Sequence, residues 1–236
     1  MPYHNPVTPE TVEAVIDILP LEHRDRVLDV GCGRGELLIR IAERTGASGI
    51  GVDLAEEQIA TAREQAAARV RDGGLRFETL DASMLDEPDG SFALAACVGS
   101  THALGGLAGT LERLSALVRP GGYLLIGEGF WAIPPSAAFL DALDGAREDE
   151  LTGYPELLAA GGPLGLEPVY AITVSAQDWE HYEWANIIRA DRYAQQHPDE
   201  NGVELLYTRV EAARRRRRLA AADGETLGFA LVVWRR

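Results

Sequence analysis

A glycine-rich turn set between a short apolar run and a helical stretch limits this chain more than any other feature. Arg26-Val27-Leu28-Asp29-Val30 reads as a buried strand and runs straight into Gly31-Cys32-Gly33-Arg34-Gly35. Glu36 to Arg44 follows, with Leu37, Leu38 and Ile41 at helical spacing. Glycines at such a turn let the backbone reverse tightly and let a ligand approach it closely. The start of the next helix adds free N–H groups and the positive end of a dipole.

The alternation continues along the chain. Ser48 to Val52 is a second strand, closed by Asp53-Leu54, and Ala55 to Asp72 is an Ala-, Glu- and Arg-rich helix stopped by Gly73-Gly74. Strands follow at Leu75 to Leu80 and Ser91 to Val98, with a Pro- and Gly-bearing loop at Asp86 to Gly90 between them. Leu107 to Val118 is helical, Arg119-Pro120-Gly121-Gly122 is a turn, and Tyr123 to Gly127 is a fifth strand. Alternation of this kind predicts a parallel sheet with helices on both faces.

Beyond Gly129 the pattern loosens. Pro134-Pro135 marks a break, Tyr154 to Ala160 a helix and Glu167 to Ser175 a sixth strand. Asp178 to Gln196 and Gly202 to Ala222 read as two helices joined around His197-Pro198, and Thr226 to Trp234 as the last strand, antiparallel at the sheet edge or in its interior. We therefore expect one domain over residues 1–236. Residues 1–25 form an N-terminal helical segment and 26–128 a cofactor-binding core. Residues 129–236 form a substrate-side half, with a helical insertion at about 178–222.

Composition narrows the chemistry. All 22 positive residues are Arg, against 37 Asp and Glu, a formal net charge of −15. Without Lys there is no P-loop Lys, no Schiff base and no protein-kinase core. The acidity opposes nucleic-acid binding, which needs a positive field. Cys32 and Cys97 are too few for a disulfide framework or a four-ligand zinc site. The first nine residues carry no secretory pattern, and no stretch approaches the roughly 18 apolar residues of a membrane span. A reducing cytoplasm, a small-molecule partner, and a monomer or homodimer are expected.

The loop spacing distinguishes cofactors. A dinucleotide fingerprint is G-x-G-x-x-G, whereas this chain has G-x-G-x-G, with Glu36 where the third dinucleotide glycine would fall. Asp29 stands two residues before the loop, where it would repel a pyrophosphate but suits a ligand with an ammonium group. Asp53 ends the second strand about 20 residues on, where a carboxylate can accept from both hydroxyls of a ribose. Asp53 also suits a helix N-cap.

These pieces, with Leu80-Asp81-Ala82 and Leu117-Val118-Arg119-Pro120-Gly121-Gly122, resemble the class I S-adenosylmethionine-dependent methyltransferases of the small-molecule type, over about Arg26 to Glu128. The resemblance implies a Rossmann-like three-layer α/β/α sandwich, whose seven-stranded sheet is mostly parallel with the last strand antiparallel. It implies S-adenosylmethionine as cofactor and S-adenosylhomocysteine as product. Asp29 and the loop of Gly31, Cys32, Gly33 and Gly35 would face the methionyl part. Asp53 would hold the ribose diol and Leu54 would pack on the adenine. Asp81 would accept from the adenine amino group and the Ala82 N–H would meet a ring nitrogen. The Cys97 or Val98 backbone would help hold the amine. Asp81 equally suits a turn, and Cys32 is a small packing residue.

Methyl transfer asks the protein to position a nucleophile, exclude water and, for some acceptors, remove a proton. His102, in Gly99-Ser100-Thr101-His102 after the fourth strand, is the first candidate for a general base or substrate partner, or else it caps the next helix or faces solvent. Glu128, after the fifth strand, would bind a polar or cationic substrate group or serve as a structural carboxylate. Tyr3 and His4 would line the pocket if the N-terminal segment, followed by a helix from Pro9 to Leu19, folds over the cofactor; the alternative is a frayed end. Trp131, Trp179 and Tyr182 are candidate pocket walls, or core. Apolar residues from Phe130 to Leu140 are expected to be exposed, closing the pocket or forming a dimer contact. Arg214 to Arg218 reads as a solvated face that neutralises Glu204 and Glu211.

The fourth strand ends Ala96-Cys97-Val98-Gly99, with no Asp to hold a magnesium ion and no amino-methylation motif, so no metal is expected. The alternatives are a cofactor-binding protein without catalysis and, against the loop spacing, a nicotinamide-dependent oxidoreductase.

Overall fold

The computed structural model describes residues 3–70, 74–143, 146–197, 203–221 and 226–236, without the side chains of 203–207 and 221. Seven strands form one sheet in the order β3-β2-β1-β4-β5-β7-β6. β1 (Arg26–Val30), β2 (Ser48–Asp53), β3 (Leu75–Thr79), β4 (Phe92–Val98) and β5 (Val118–Trp131) pair in parallel. β7 (Leu227–Arg235) lies between β5 and β6 (Glu167–Thr173) and runs antiparallel to β6. The last strand is thus antiparallel and interior.

Apolar patterning explains the layers. In β4, Phe92 to Cys97 are all buried, as a central strand covered on both faces requires. The helix α2 (Glu36–Thr45) buries Leu37, Leu38, Ile39, Ile41 and Ala42 and ends at Gly46. The helix α1 (Pro9–Ile18) starts with the Thr8 hydroxyl accepting from the Thr11 N–H at 3.2 Å, has Pro at its first turn, and buries Val12, Val15 and Ile16. The helices α3 (Glu56–Arg69) and α4 (Gly106–Leu117) complete the βα alternation.

Two expectations change. The turn expected at Arg119 to Gly122 lies inside β5, which starts at Val118 and extends to Trp131. Register slips between Phe92↔Val118 and Leu94↔Tyr123, so these residues form a bulge. Gly121 takes φ +77° and donates to the Arg236 carbonyl at 2.8 Å, while the Arg236 N–H donates to Gly122 at 2.9 Å. The ladder to β7 absorbs the Pro-Gly-Gly segment that would otherwise turn back. The expected exposure of Phe130 to Leu140 holds only in part: Ile133 is exposed, whereas Phe130, Trp131 and Phe139 are buried.

The chain divides into two compact units. The first comprises residues 1–128, 158–173 and 230–236; the second comprises 129–157 and 174–229. The second unit holds α5 (Ala137–Ala142), the first part of α6 (Tyr154–Ala159), and the long helices α7 (Ala176–Gln196) and α8 (Val203–Ala221). Within it Trp131 meets Phe139 edge-on at 6.3 Å and donates through Nε1 to the Glu148 carbonyl at 2.8 Å. The join expected at His197-Pro198 falls partly outside the described residues, as does the Glu204 side chain.

Among the described residues no helix is long and apolar enough to cross a membrane.

Candidate cofactor site

The first unit contains a concave space of about 810 Å³ at the carboxyl ends of β1, β2 and β4. Asp29, Gly31, Cys32, Gly33, Arg34, Asp53, Val98, Gly99 and Ser100 line it, together with Tyr3, His4 and Asn5 from the N-terminal segment. Open parallel sheets bind ligands at this rim, because strand ends there leave backbone groups and loops facing a crevice.

The glycine loop is pinned from below. The Gly31 and Cys32 N–H groups both donate to the Val52 carbonyl, at 2.9 and 3.1 Å, which ties the loop to β2. Gly31 has φ +69°, and a Cβ there would stand 2.3 Å from Ser100. Gly35 has φ +74°, and a Cβ there would stand 2.5 Å from the Phe77 ring. Both positions therefore exclude any side chain, on backbone and packing grounds alike.

Asp53 joins the loop to the next helix. One carboxylate oxygen accepts from the Gly33 N–H at 2.9 Å and the other from the Ala55 N–H at 2.9 Å, ahead of α3. Asp53 thus makes the cap-like contact and faces the cavity as well. Asp29 is 3% exposed. Burial, with the negative charge of Asp53 adding to it, pushes its carboxyl up to about 8. A buried acid in that state is charged most readily by a cation brought to it.

The thiols are inert by the same physics. Burial raises Cys32 far above the ordinary thiol range and pushes Cys97 up to about 12, with Asp29 adding to both. Cys32 lines the cavity as a small packing residue, and Cys97 is fully buried in β4.

Other expected residues fall elsewhere. Leu54 is 69% exposed beside Asp53. Asp81 is exposed and caps a short 3₁₀ turn (Ala82–Met84), accepting from the Ser83 N–H at 2.8 Å and hydroxyl at 2.7 Å, which lowers its pKa. Ala82 is buried. His102 is exposed on a 3₁₀ turn (Thr101–Leu104), and its neighbour Thr101 is buried. The Thr101 hydroxyl donates to Glu128 Oε2 at 2.5 Å, with Glu128 in β5 one residue past its last pair with β4, Val98↔Gly127. Trp131, Trp179 and Tyr182 belong to the second unit. There Trp179 packs on Phe229 at 6.2 Å and Tyr182 lies under Arg215 at 5.4 Å.

Sequence reasoning missed Thr101, whose role depends on the register of β4 and β5. It also missed Asn5, which donates to the Val98 carbonyl at 3.4 Å across 93 residues of sequence. The lining residues Val12, Val15, Leu125 and Leu231 look like ordinary core positions in the sequence.

A model of the methyltransferase domain matches residues 27–122. The solved SAM-dependent methyltransferase of Geobacter sulfurreducens, in complex with S-adenosyl-L-homocysteine, superposes with a TM-score of 0.89 at 33% identity, over 98% of this chain and 92% of that one.

The chain belongs to the class I S-adenosylmethionine-dependent methyltransferases.

Two further similarities agree with that membership. YjhP, an uncharacterized protein of Escherichia coli K12, is 29% identical over 90% of this chain and 86% of its own length. Its crystal structure superposes with a TM-score of 0.89 over 98% of this chain and 94% of that one. The 27-O-demethylrifamycin SV methyltransferase of Amycolatopsis mediterranei is 32% identical over 71% of this chain, which spans 63% of that enzyme.

The cofactor of this methyltransferase is S-adenosylmethionine, and the residues present fit it. Asp29 is a buried acid suited to an ammonium, the glycine loop presents bare backbone, and Asp53 stands at the rim with both oxygens oriented.

Proposed function

We propose that this methyltransferase methylates a hydroxyl of a small molecule, without a metal, and that Glu128 takes up the proton the acceptor loses. The observation that carries this reading is the Thr101–Glu128 contact at 2.5 Å. The hydroxyl orients a carboxylate one residue past the last β4–β5 pair, Val98↔Gly127, and Thr101 directly follows Ser100, which lines the cofactor cavity. The rifamycin enzyme methylates an oxygen by its name, and an O-methyltransferase of Pyrenophora dematioidea is 30% identical over 53% of this chain. The net charge of −15 supports a small acceptor over a nucleic acid. We place the enzyme in the cytoplasm, as a monomer or homodimer.

When bound, S-adenosylmethionine supplies a methyl group activated by its sulfonium. Asp29 holds the ammonium end, Asp53 accepts from the ribose hydroxyls, and Val98 to Ser100 wall the site. Leu54, Asp81 and Ala82 form the adenine side. Tyr3 and His4 close the pocket. His102, on the exposed turn beside Thr101, meets the outer part of the acceptor.

The test is methyl transfer from labelled S-adenosylmethionine to a panel of phenols, enols and alcohols, read by mass spectrometry. Glu128→Gln is expected to lower turnover about 10²- to 10⁴-fold with S-adenosylhomocysteine affinity unchanged. A protein that binds S-adenosylhomocysteine but methylates no acceptor would instead be a cofactor-binding protein without catalysis.

A further inference from the structure

Tyr3 presents a buried polar group that the proposed chemistry leaves unused. It is 9% exposed and lines the cofactor cavity, yet its hydroxyl has no hydrogen-bond partner among the described residues. An unsatisfied buried hydroxyl costs stability, so a fold that keeps one implies a partner that arrives later. The charges that act on the phenol are Arg40, Glu36, Glu13 and Asp29. Arg40 is committed, through Nη1 to Glu13 at 2.6 Å and through Nε to Glu36 at 2.6 Å. Burial holds the phenol protonated, so it offers an O–H, and an anionic partner accepts that bond most strongly.

The ligand's amino-acid end carries an ammonium and a carboxylate on one carbon. Asp29 suits the ammonium. The carboxylate then needs a donor close to Asp29, within the same cavity, and the neighbouring acids Glu13 and Glu36 are unable to donate to it. We propose that the Tyr3 hydroxyl is that donor, binding the carboxylate of the cofactor and fastening the N-terminal segment over the site. Asn5 already ties that segment to the Val98 carbonyl, and the Val7 N–H donates to Asn5 Oδ1 at 3.2 Å. The phenol thus completes a strap whose other fastening is in place. The inference rests on S-adenosylmethionine being the cofactor and is independent of the acceptor.

The experiment is calorimetric titration of wild type and Tyr3→Phe with two ligands, S-adenosylhomocysteine and its decarboxylated analogue. Tyr3→Phe keeps the buried ring and removes only the oxygen, so thermal unfolding of the ligand-free variant should match wild type or exceed it. Tyr3→Phe is expected to bind S-adenosylhomocysteine about 10- to 100-fold more weakly, and to bind the decarboxylated analogue as wild type does. Equal weakening for both ligands would overturn the carboxylate contact and leave Tyr3 as a packing group. No change for either ligand would overturn it as well. Wild type that binds neither ligand would remove the cofactor assignment itself, a failure distinct from both.

Discussion

At the residue scale, Asp29 sets a pH dependence whose sign follows from its burial. Its folded carboxyl titrates at about 8, against an ordinary value of 3.8. Between those values the folded protein holds a proton that the unfolded chain releases, so this group's contribution to stability falls as pH rises through that window. A bound ammonium reverses the balance by favouring the carboxylate. Binding of S-adenosylhomocysteine near pH 7 is therefore expected to release a proton, and affinity should rise from pH 6 to 8. Calorimetry in buffers of different ionisation enthalpy measures that release directly. Proton release near zero at pH 7, with flat affinity from 6 to 8, would place the ammonium elsewhere. Much of this site was legible from Asp29-Val30-Gly31-Cys32-Gly33-Arg34-Gly35 and Asp53, because spacing along one strand-turn-helix fixes where those groups point. Thr101 was not legible as a partner of Glu128, since their meeting needs the β4–β5 register, which sequence alone does not carry.

At the element scale, the strand and helix order was legible because apolar periodicity and glycine stops are local signals. The bulge in β5 was not, because Pro-Gly-Gly reads as a turn unless a neighbouring strand supplies partners, as Arg236 does here. The five-Arg run behaves as expected in sign but not in burial. Glu183 of α7 is 3% exposed and accepts from Arg215 at 3.0 Å and Arg218 at 3.1 Å, while Arg216 pairs with Asp191. Glu211, on α8 itself, takes Arg215 at 3.1 Å. The α7–α8 pair is thus joined through a buried carboxylate between two guanidinium groups. Removing Glu183 leaves Arg215 and Arg218 with Glu211 as their remaining carboxylate, so the loss stays below the cost of an unpaired buried charge, about 3–5 kcal/mol. Glu183→Ala is expected to raise amide hydrogen exchange throughout α7 and α8. Unchanged protection in those helices would show that the apolar contacts around Ile187 and Ala212 hold the pair unaided.

At the scale of the whole molecule, the chain path bears on how the protein unfolds. The first unit is assembled from three stretches of sequence, and the second occupies the intervals between them. β5 and β7 each begin in one unit and end in the other, so neither unit can lose its strands without disturbing a strand of its neighbour. The first unit supplies every residue lining the cofactor cavity. A ligand that binds only the folded state stabilises it by about 2.7 kcal/mol at a hundred times its dissociation constant. For a chain of this size each kcal/mol moves the midpoint by about 2–4 °C, so the shift should be about 5–10 °C. Shared strands make that shift common to both units. Scanning calorimetry with saturating S-adenosylhomocysteine is therefore expected to move a single transition as a whole. If a second, ligand-insensitive transition stays behind, α7 and α8 unfold on their own and the shared strands do not couple the units. Because Asp29 gives up its proton on binding, the shift should also widen from pH 6 to pH 8, which links the residue-scale titration to the stability of the whole chain.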